Sequence, residues 1–325
     1  MIGSRTPFRM SFIGGGSDLK GFYSRAPGSV ISTTINKYMY IFIHPFFDNR
    51  IQIKYSKTEL VEQIIEIKHP IVREILSKFD INGIDINSIA DIPAGTGLGS
   101  SSSYTVGLLH AMYSYTNEQV QSELLAKIAC EIEIDILKEP IGKQDQYAAA
   151  FGGLNVIRFL TTGEVKVEPI NMEPSVYNQL QDNLMLFYTG ITRNASDVLS
   201  DQKYNLINKQ TKFDSMLQMT ELVEKANKNL CESDLDEFGK TLDENWKLKK
   251  NLSNKISNTD IDDLYYMAKK NGALGGKILG AGGGGFLLFY CRKENQDRLR
   301  KVLDRLKEVK FKFENTGSQI IYKDE

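Results

Sequence analysis

The stretch Ile92-Pro93-Ala94-Gly95-Thr96-Gly97-Leu98-Gly99-Ser100-Ser101-Ser102-Ser103 constrains this chain more than any other, because it runs without a break into the apolar-periodic segment Tyr104 to Tyr115. Alternate glycines permit close backbone approach and torsions that other residues avoid, and serines favour helix starts. The amides at such a start point outward, with the positive end of the helix dipole behind them. Ile84 to Ile92 reads as a strand feeding this loop. Strand, glycine loop and helix in that order form an anion cradle. A simple helix cap needs one serine, and this run supplies four after G-x-G-x-G.

Two other phosphate motifs fail. The Walker pattern G-x-x-x-x-G-K-[ST] has its nearest match at Gly272 to Ile278, which is one residue too short and ends in isoleucine. Gly280, Gly282 and Gly285 match G-x-G-x-x-G, but they lead into the strand-like run Phe286 to Cys291 rather than a helix. That order removes the dinucleotide context.

Pro93-x-Gly95-x-Gly97-Leu98-Gly99-Ser100-Ser101 resembles the central phosphate-binding motif of the GHMP kinase superfamily. Arg5-Thr-Pro7-Phe-Arg9-Met-Ser-Phe-Ile-Gly14-Gly15-Gly16-Ser17-Asp18 resembles its amino-terminal sugar-binding motif, and Lys277-Ile-Leu-Gly280-Ala-Gly282-Gly283-Gly284-Gly285-Phe286 its carboxy-terminal glycine motif. The three stand in the family's order. The triple glycine and the string Pro140-Ile-Gly142-Lys143-Gln144-Asp145-Gln146-Tyr147 most resemble bacterial D-glycero-D-manno-heptose 7-phosphate kinases. The resemblance implies an α+β, two-domain GHMP kinase fold, with a ribosomal S5 domain 2-like N-terminal domain over 1–175 and a ferredoxin-like C-terminal domain over 176–325. Glu173-Pro174-Ser175 is the expected boundary.

One pair of glutamates separates on spacing alone. Glu123, Lys127, Glu131 and Asp135 recur every four residues on a helix expected over Gln119 to Leu137, which makes a solvated charged stripe. Glu133 instead lines up with Ala126, Ala129, Cys130 and Leu137, an apolar face that a carboxylate occupies only with a partner. Magnesium, held by one or two carboxylates with phosphate oxygens and water, is such a partner. The resemblance agrees, since the family's metal-binding glutamate lies seven residues before a proline, as Glu133 lies before Pro140.

By resemblance, the amides of Gly95 to Ser102 cradle the phosphates of ATP, and Ser101 and Glu133 bind Mg2+, with Ser100 and Ser102 chemically equivalent neighbours. Asp145 takes the proton of the acceptor hydroxyl and Arg9 orients it. Arg5, Gly15, Gly16, Ser17 and Asp18 shape the sugar site. Gly15 and Gly16 stand where galactokinases carry an acidic residue and a histidine, which leaves room for a different or larger sugar. Gly283 and Gly284 are expected against the first phosphate loop and the substrate. Arg193 is a candidate phosphate clamp because its planar fork suits phosphate oxygens. Lys143 is within reach of carboxylate or phosphate.

The remaining features bound the function. A net charge of -1 offers no electrostatic case for nucleic acid or an anionic membrane surface. Cys130, Cys231 and Cys291 lack C-x-x-C spacing, which argues against a disulfide framework and a zinc site and fits the reducing cytoplasm. The longest apolar-plus-glycine run, Ile278 to Cys291, is too short for a membrane span of roughly 20 residues. His44, His69 and His110 have no partner at useful spacing and are assigned no chemistry.

Elsewhere, β-branched runs at Val30 to Pro45 and Arg50 to Tyr55 predict a hairpin or meander, Leu60 to Phe79 a helix, and the strands near Phe311 and Ile320 a place in the second domain. The polar helices around Phe213 to Asn229 and Asp234 to Lys249 carry no recognisable chemistry, and Trp246 reads as core.

The expected activity is ATP-dependent phosphorylation of the anomeric hydroxyl of D-glycero-D-manno-heptose 7-phosphate, a small-molecule sugar phosphate. The alternatives are another anomeric sugar kinase acting on fucose, arabinose or an N-acetylhexosamine, and a noncatalytic sugar and ATP sensor on the same fold. A decarboxylase of the phosphorylated-mevalonate type fits less well, because the Gly14 to Asp18 motif has no use there.

Overall fold

The computed structural model describes residues 1–191 and 195–324. Alternating apolar and hydroxyl residues make the first half a sheet with helices on it. The order is β1 (Ile2–Ile13), α1 (Lys20–Tyr23), β2 (Gly28–Pro45), β3 (Ile51–Lys54), β4 (Thr58–Val61), α2 (Pro70–Phe79), β5 (Ile84–Ala90) and α3 (Ser100–Tyr115). Then come α4 (Ser122–Cys130), a π-helical turn at Glu131–Ile136, α5 (Gln144–Phe151), β6 (Leu154–Phe159) and β7 (Val165–Pro169). The second half holds α6 (Pro174–Asn183), β8 (Leu184–Tyr188), α7 (Ala195–Asn208), α8 (Gln210–Cys231), α9 (Leu235–Asn251), α10 (Thr259–Lys270), β9 (Ala273–Ile278), β10 (Phe286–Cys291) and α11 (Gln296–Val302). Three short strands close the chain: β11 (Lys307–Glu308), β12 (Phe313–Glu314) and β13 (Gln319–Lys323).

β2 is the spine of the first sheet. β1 runs antiparallel along one edge, with Ile2 opposite Ile43 and Arg9 opposite Thr34. The other edge is divided among β6, β12 and β5. The expected hairpin or meander joining Val30–Pro45 to Arg50–Tyr55 does not form. β5, a seven-residue strand, lies between them and buries Ile84 and Ile86, a longer ladder than four-residue β3 offers. β3 pairs in parallel with β5 and makes its hairpin with β4. The helix expected from Leu60 starts only at Pro70. His69 is extended, since a residue before proline avoids the α region, and Pro70 is suited to the first helical turn.

β8 lies between β11 and β10 in the second sheet, and β9 flanks β10, all antiparallel. β12 and β13 do not join it. They return to the first sheet, β13 along the outer edge of β1 and β12 on β2, where they cover backbone groups that an open edge would leave unpaired. The two halves share apolar packing: Phe12 of β1 meets Phe238 of α9 edge-on at 5.6 Å, and Leu242, Leu279 and Leu288 continue the same core. A second core gathers around Trp246, Leu252, Ile261 and Phe289. Apolar packing across the halves holds the cleft between them in register.

Candidate active site

Gly95, Gly97 and Gly99 take φ of +76°, +87° and +75°, torsions open to glycine at little cost. Gly99 itself caps α3, so the serines occupy the first turn and do not cap it. A left-handed cap turns the chain into the helix without a side-chain bond, which frees the hydroxyls: Ser103 Oγ donates to Pro7 O, and Ser101 Oγ to Glu133 Oε1 at 2.9 Å. Among the described residues, no acceptor pairs with the amides of Gly95 to Ser102. Arg9 pins the loop from below, its amide donating to Leu98 O and Nη1 to Gly97 O. The second glycine motif closes over it. A methyl at Gly280 would lie 2.6 Å from Gly97 Cα, and one at Gly285 would lie 2.3 Å from Thr96 O. Gly283 donates its amide to Ile256 O, and Gly284 backs onto Ile191, so Gly280 and Ala281 face the cleft instead.

The expected helix from Gln119 to Leu137 is α4 followed by the π turn. Leu137 N bonds Ile132 O, a wider repeat that inserts one residue while Glu133 stays on the buried face. Glu133 is 1% exposed, whereas Glu131 is exposed. Ser101 donates to one Glu133 oxygen and Gln146 Nε2 to the other at 2.7 Å. No cation among the described residues pairs with it, and burial pushes its carboxyl up to about 7, with the Ser101 and Gln146 bonds opposing. A buried carboxylate so placed, beside a serine hydroxyl and the amide-rich loop, fits a hard divalent cation that takes oxygen ligands.

Asp145 stands in the first turn of α5, following Lys143 at the cap. Arg9 grips it with both arms, Nε to Oδ1 at 2.7 Å and Nη2 to Oδ2 at 2.6 Å, while the Arg9 side chain is 5% exposed. Each Asp145 oxygen keeps a lone pair. Asp18 lies beside this pair, 2% exposed, accepting from the amides of Gly16 and Gln144 and from Gln144 Nε2. Burial first, then the Asp145 charge, raises its carboxyl above the usual range. Arg9, Ser11, Gly15, Gly16, Asp18, Gln144 and Asp145 line one cleft. Ser11 Oγ and Gln144 Oε1 are buried there without a partner among the described residues.

Several expected residues lie apart. Arg5 does not line this cleft; it bonds Gln319 and stacks over Tyr38. Ser17 is fully buried and exchanges hydrogen bonds with the Ser29 backbone. Lys143 Nζ turns to Gly163 O and the Tyr23 ring. Arg193 falls outside the described residues.

Two features escaped the sequence reading. Beyond the glycine loop opens a cavity of about 780 Å³ lined by Met39, Tyr55, His69, Ile71 and Tyr104. His69 stacks on Tyr104 at 5.0 Å, and burial pulls the imidazole below its ordinary value. His69 Nδ1 and the Tyr104 hydroxyl are buried without partners among the described residues. No local pattern marks such a wall, because its parts come from four separate segments. The other feature is a pair of buried lysines in the cleft, Lys249 and Lys277. A lysine at the end of an amphipathic helix reads as solvated, and only its 4% exposure says otherwise.

The sequence profile for the GHMP kinases N terminal domain matches residues 59–153, and that for the GHMP kinases C terminal domain matches 226–310. A D-glycero-alpha-D-manno-heptose 7-phosphate kinase of Campylobacter jejuni is 30% identical over 317 residues, covering 93% of each chain. The chain belongs to the GHMP kinases. A crystal structure described as a D-glycero-D-manno-heptose 1-phosphate kinase from Bacteroides thetaiotaomicron superposes with a TM-score of 0.83 at 25% identity over 100% of both chains. A putative sugar kinase from Campylobacter jejuni gives 0.78 at 28% identity over 98% of both.

As a GHMP kinase, the protein is a sugar phosphotransferase that takes ATP as donor and an alcohol group as acceptor. Its two-domain mixed fold is that of the family. No helix among its described residues is long and apolar enough to cross a membrane.

One further glycine crowds the Asp18 side of the Arg9–Asp145 cleft. A methyl at Gly142 would stand 1.9 Å from Asp18 Oδ2. In steady-state kinetics, Gly142→Ala is therefore expected to raise KM for the acceptor roughly tenfold, as overpacking costs about 1–3 kcal/mol, and to leave KM for ATP unchanged. Equal change in both constants would dissociate Gly142 from the acceptor.

Proposed function

We propose that this GHMP kinase transfers the γ-phosphoryl group of ATP to the anomeric hydroxyl of D-glycero-D-manno-heptose 7-phosphate. The observation that carries the reading is the Arg9–Asp145 pair opening onto a cleft whose buried Ser11 Oγ and Gln144 Oε1 await polyhydroxyl partners, directly beside the unpaired amides of Gly95 to Ser102. The sequence similarity to the Campylobacter jejuni enzyme supports the choice of heptose.

In this reading the amides of the loop and the α3 dipole hold the nucleotide phosphates, and the His69–Tyr104 cavity takes the adenine, with its two unpartnered polar atoms available to the base. Asp145 accepts the proton of the anomeric hydroxyl as that oxygen bonds to the γ-phosphorus and the bond to the bridging oxygen of ADP breaks. Arg9 holds the carboxylate plane toward the acceptor. Asp18, Gly15 and Gly16 shape the sugar site. Ser101 and Glu133 would hold Mg2+, which when bound neutralises charge on the phosphate oxygens.

The test is a coupled ADP-release assay on heptose 7-phosphate, heptose 1-phosphate, fucose, arabinose and N-acetylhexosamines, followed by phosphorus NMR of the product. Preferred turnover of heptose 7-phosphate with phosphorylation at the first carbon is expected. Preference for an unphosphorylated sugar, or a product phosphorylated elsewhere, rejects the reading.

A further inference from the structure

Lys249, near the end of α9, projects into the acceptor cleft and is 4% exposed. Its ammonium donates to Gly15 O at 2.9 Å and to Gln202 Oε1 at 3.0 Å, both neutral acceptors. An ammonium has three donors, so one remains, and among the described residues no carboxylate lies within ion-pair distance. Gln202 is fully buried and fastened in turn to Ala281 O, which fixes the lysine in place. Lys277 stands in the same cleft, its ammonium on Ser11 O at 2.7 Å and likewise without an acidic partner among the described residues.

Buried charges are ordinarily paired. Here two buried ammonium groups and Arg9 surround the cleft. Asp145 is committed to Arg9, and Asp18 is occupied by Gly16 and Gln144. Burial pulls Lys249 down to about 8, opposed by Asp18, and pulls Lys277 well below the usual lysine range, with repulsion from Lys249 and Arg9 adding to it. An anion entering the cleft would reverse both effects. The contacts of Lys249 share no atom with the Arg9–Asp145 pair, so the anion it meets need not be the group being transferred.

We infer that Lys249 is the specificity-determining residue that reads a phosphate ester already carried by the acceptor sugar, with Gln202 as its positioning residue. The inference rests on the proposed sugar-phosphate reading and adds the group that separates a phosphorylated acceptor from a free sugar. Gly16 is part of the device: a methyl there would stand 3.3 Å from Lys249 Nζ and 2.8 Å from Met216 Cε, so the glycine keeps the approach to the ammonium open.

The experiment compares wild type, Lys249→Met and Lys249→Arg on heptose 7-phosphate and on the corresponding unphosphorylated heptose, with KM for ATP measured in parallel. A lost charge-assisted hydrogen bond raises KM for the phosphorylated sugar roughly 10- to 100-fold in the Met variant. Turnover of the free heptose falls far less than that of the sugar phosphate, since Lys249 also holds Gly15 O, KM for ATP stays at its wild-type value, and Lys249→Arg restores part of the loss. Equal loss on both acceptors makes the lysine structural, and a raised KM for ATP alone makes it a nucleotide contact; either result overturns the inference. Should the variants fail to fold, inorganic phosphate as inhibitor of the wild type decides: competition with the sugar phosphate is expected, and competition with ATP overturns the assignment. Calorimetry separates this inference from the reading beneath it. A wild type that binds heptose 7-phosphate through Lys249 without phosphorylating it rejects the proposed function and keeps the lysine's role, whereas a wild type that binds no sugar phosphate rejects both.

Discussion

Asp145→Asn is expected to lower kcat by ~10²–10⁴, the usual contribution of a positioned general base, while the dissociation constant for ATP stays within about twofold. The amide keeps the shape of the carboxylate and one acceptor for Arg9, but it has no basic oxygen for the hydroxyl proton. In the proposed function nucleotide binding depends on the loop amides, with which Asp145 makes no hydrogen bond. Arg9, at 5% exposure, would lose its charged partner, so thermal melting should accompany the kinetics to exclude partial unfolding. A folded Asn variant with wild-type kcat would remove Asp145 from the chemistry.

Glu133→Gln should separate stability from activity. In the free protein Glu133 holds its proton up to about 7, against about 4.5 in the unfolded chain, because burial disfavours the anion. A carboxyl whose folded value is raised contributes stability that is fully present below about pH 4.5 and is lost as pH climbs toward 7. The difference amounts to about 3 kcal/mol, from ~1.4 kcal/mol per pH unit over that window. Without nucleotide or metal, wild type should therefore weaken between about pH 4.5 and about pH 7 relative to Glu133→Gln, which cannot ionise. Urea denaturation at several pH values measures this, and parallel curves for the two proteins would contradict it. The same variant should lose most of its turnover, since the neutral amide is a poor partner for Mg2+. Ionised Glu133 is thus a local cost that a bound cation would offset.

The site was partly legible because parts of it are local. The glycine-serine loop announces its torsions and its helix in one stretch, and Glu133 differs from Glu131 by its place on a helical face, which the structure reproduces despite the π turn. The residue that caps α3 was not legible, because serine at a helix start is the commoner solution and a left-handed Gly99 leaves no trace beyond its identity. The hairpin was misplaced because strand propensity gives the existence of β2 and β3 but not which longer strand competes for the edge between them. The terminal strands were misplaced for the same reason: adjacency along the chain suggested the second sheet, and an unpaired edge of the first one took them.

What the amino-acid order determined by itself was the glycine-serine loop and its helix, the order of the three motifs, the buried glutamate and the family they imply. What only the tertiary structure decided was every feature made by distant elements. Arg9 meets Asp145 across 136 positions, and Lys249 reaches Gly15 across 234. Periodicity reports which face of a helix is buried, but not what it is buried against. A lysine tucked under a glycine turn looks in sequence like one in water, and the cost of its desolvated charge exists only once the cleft has closed around it.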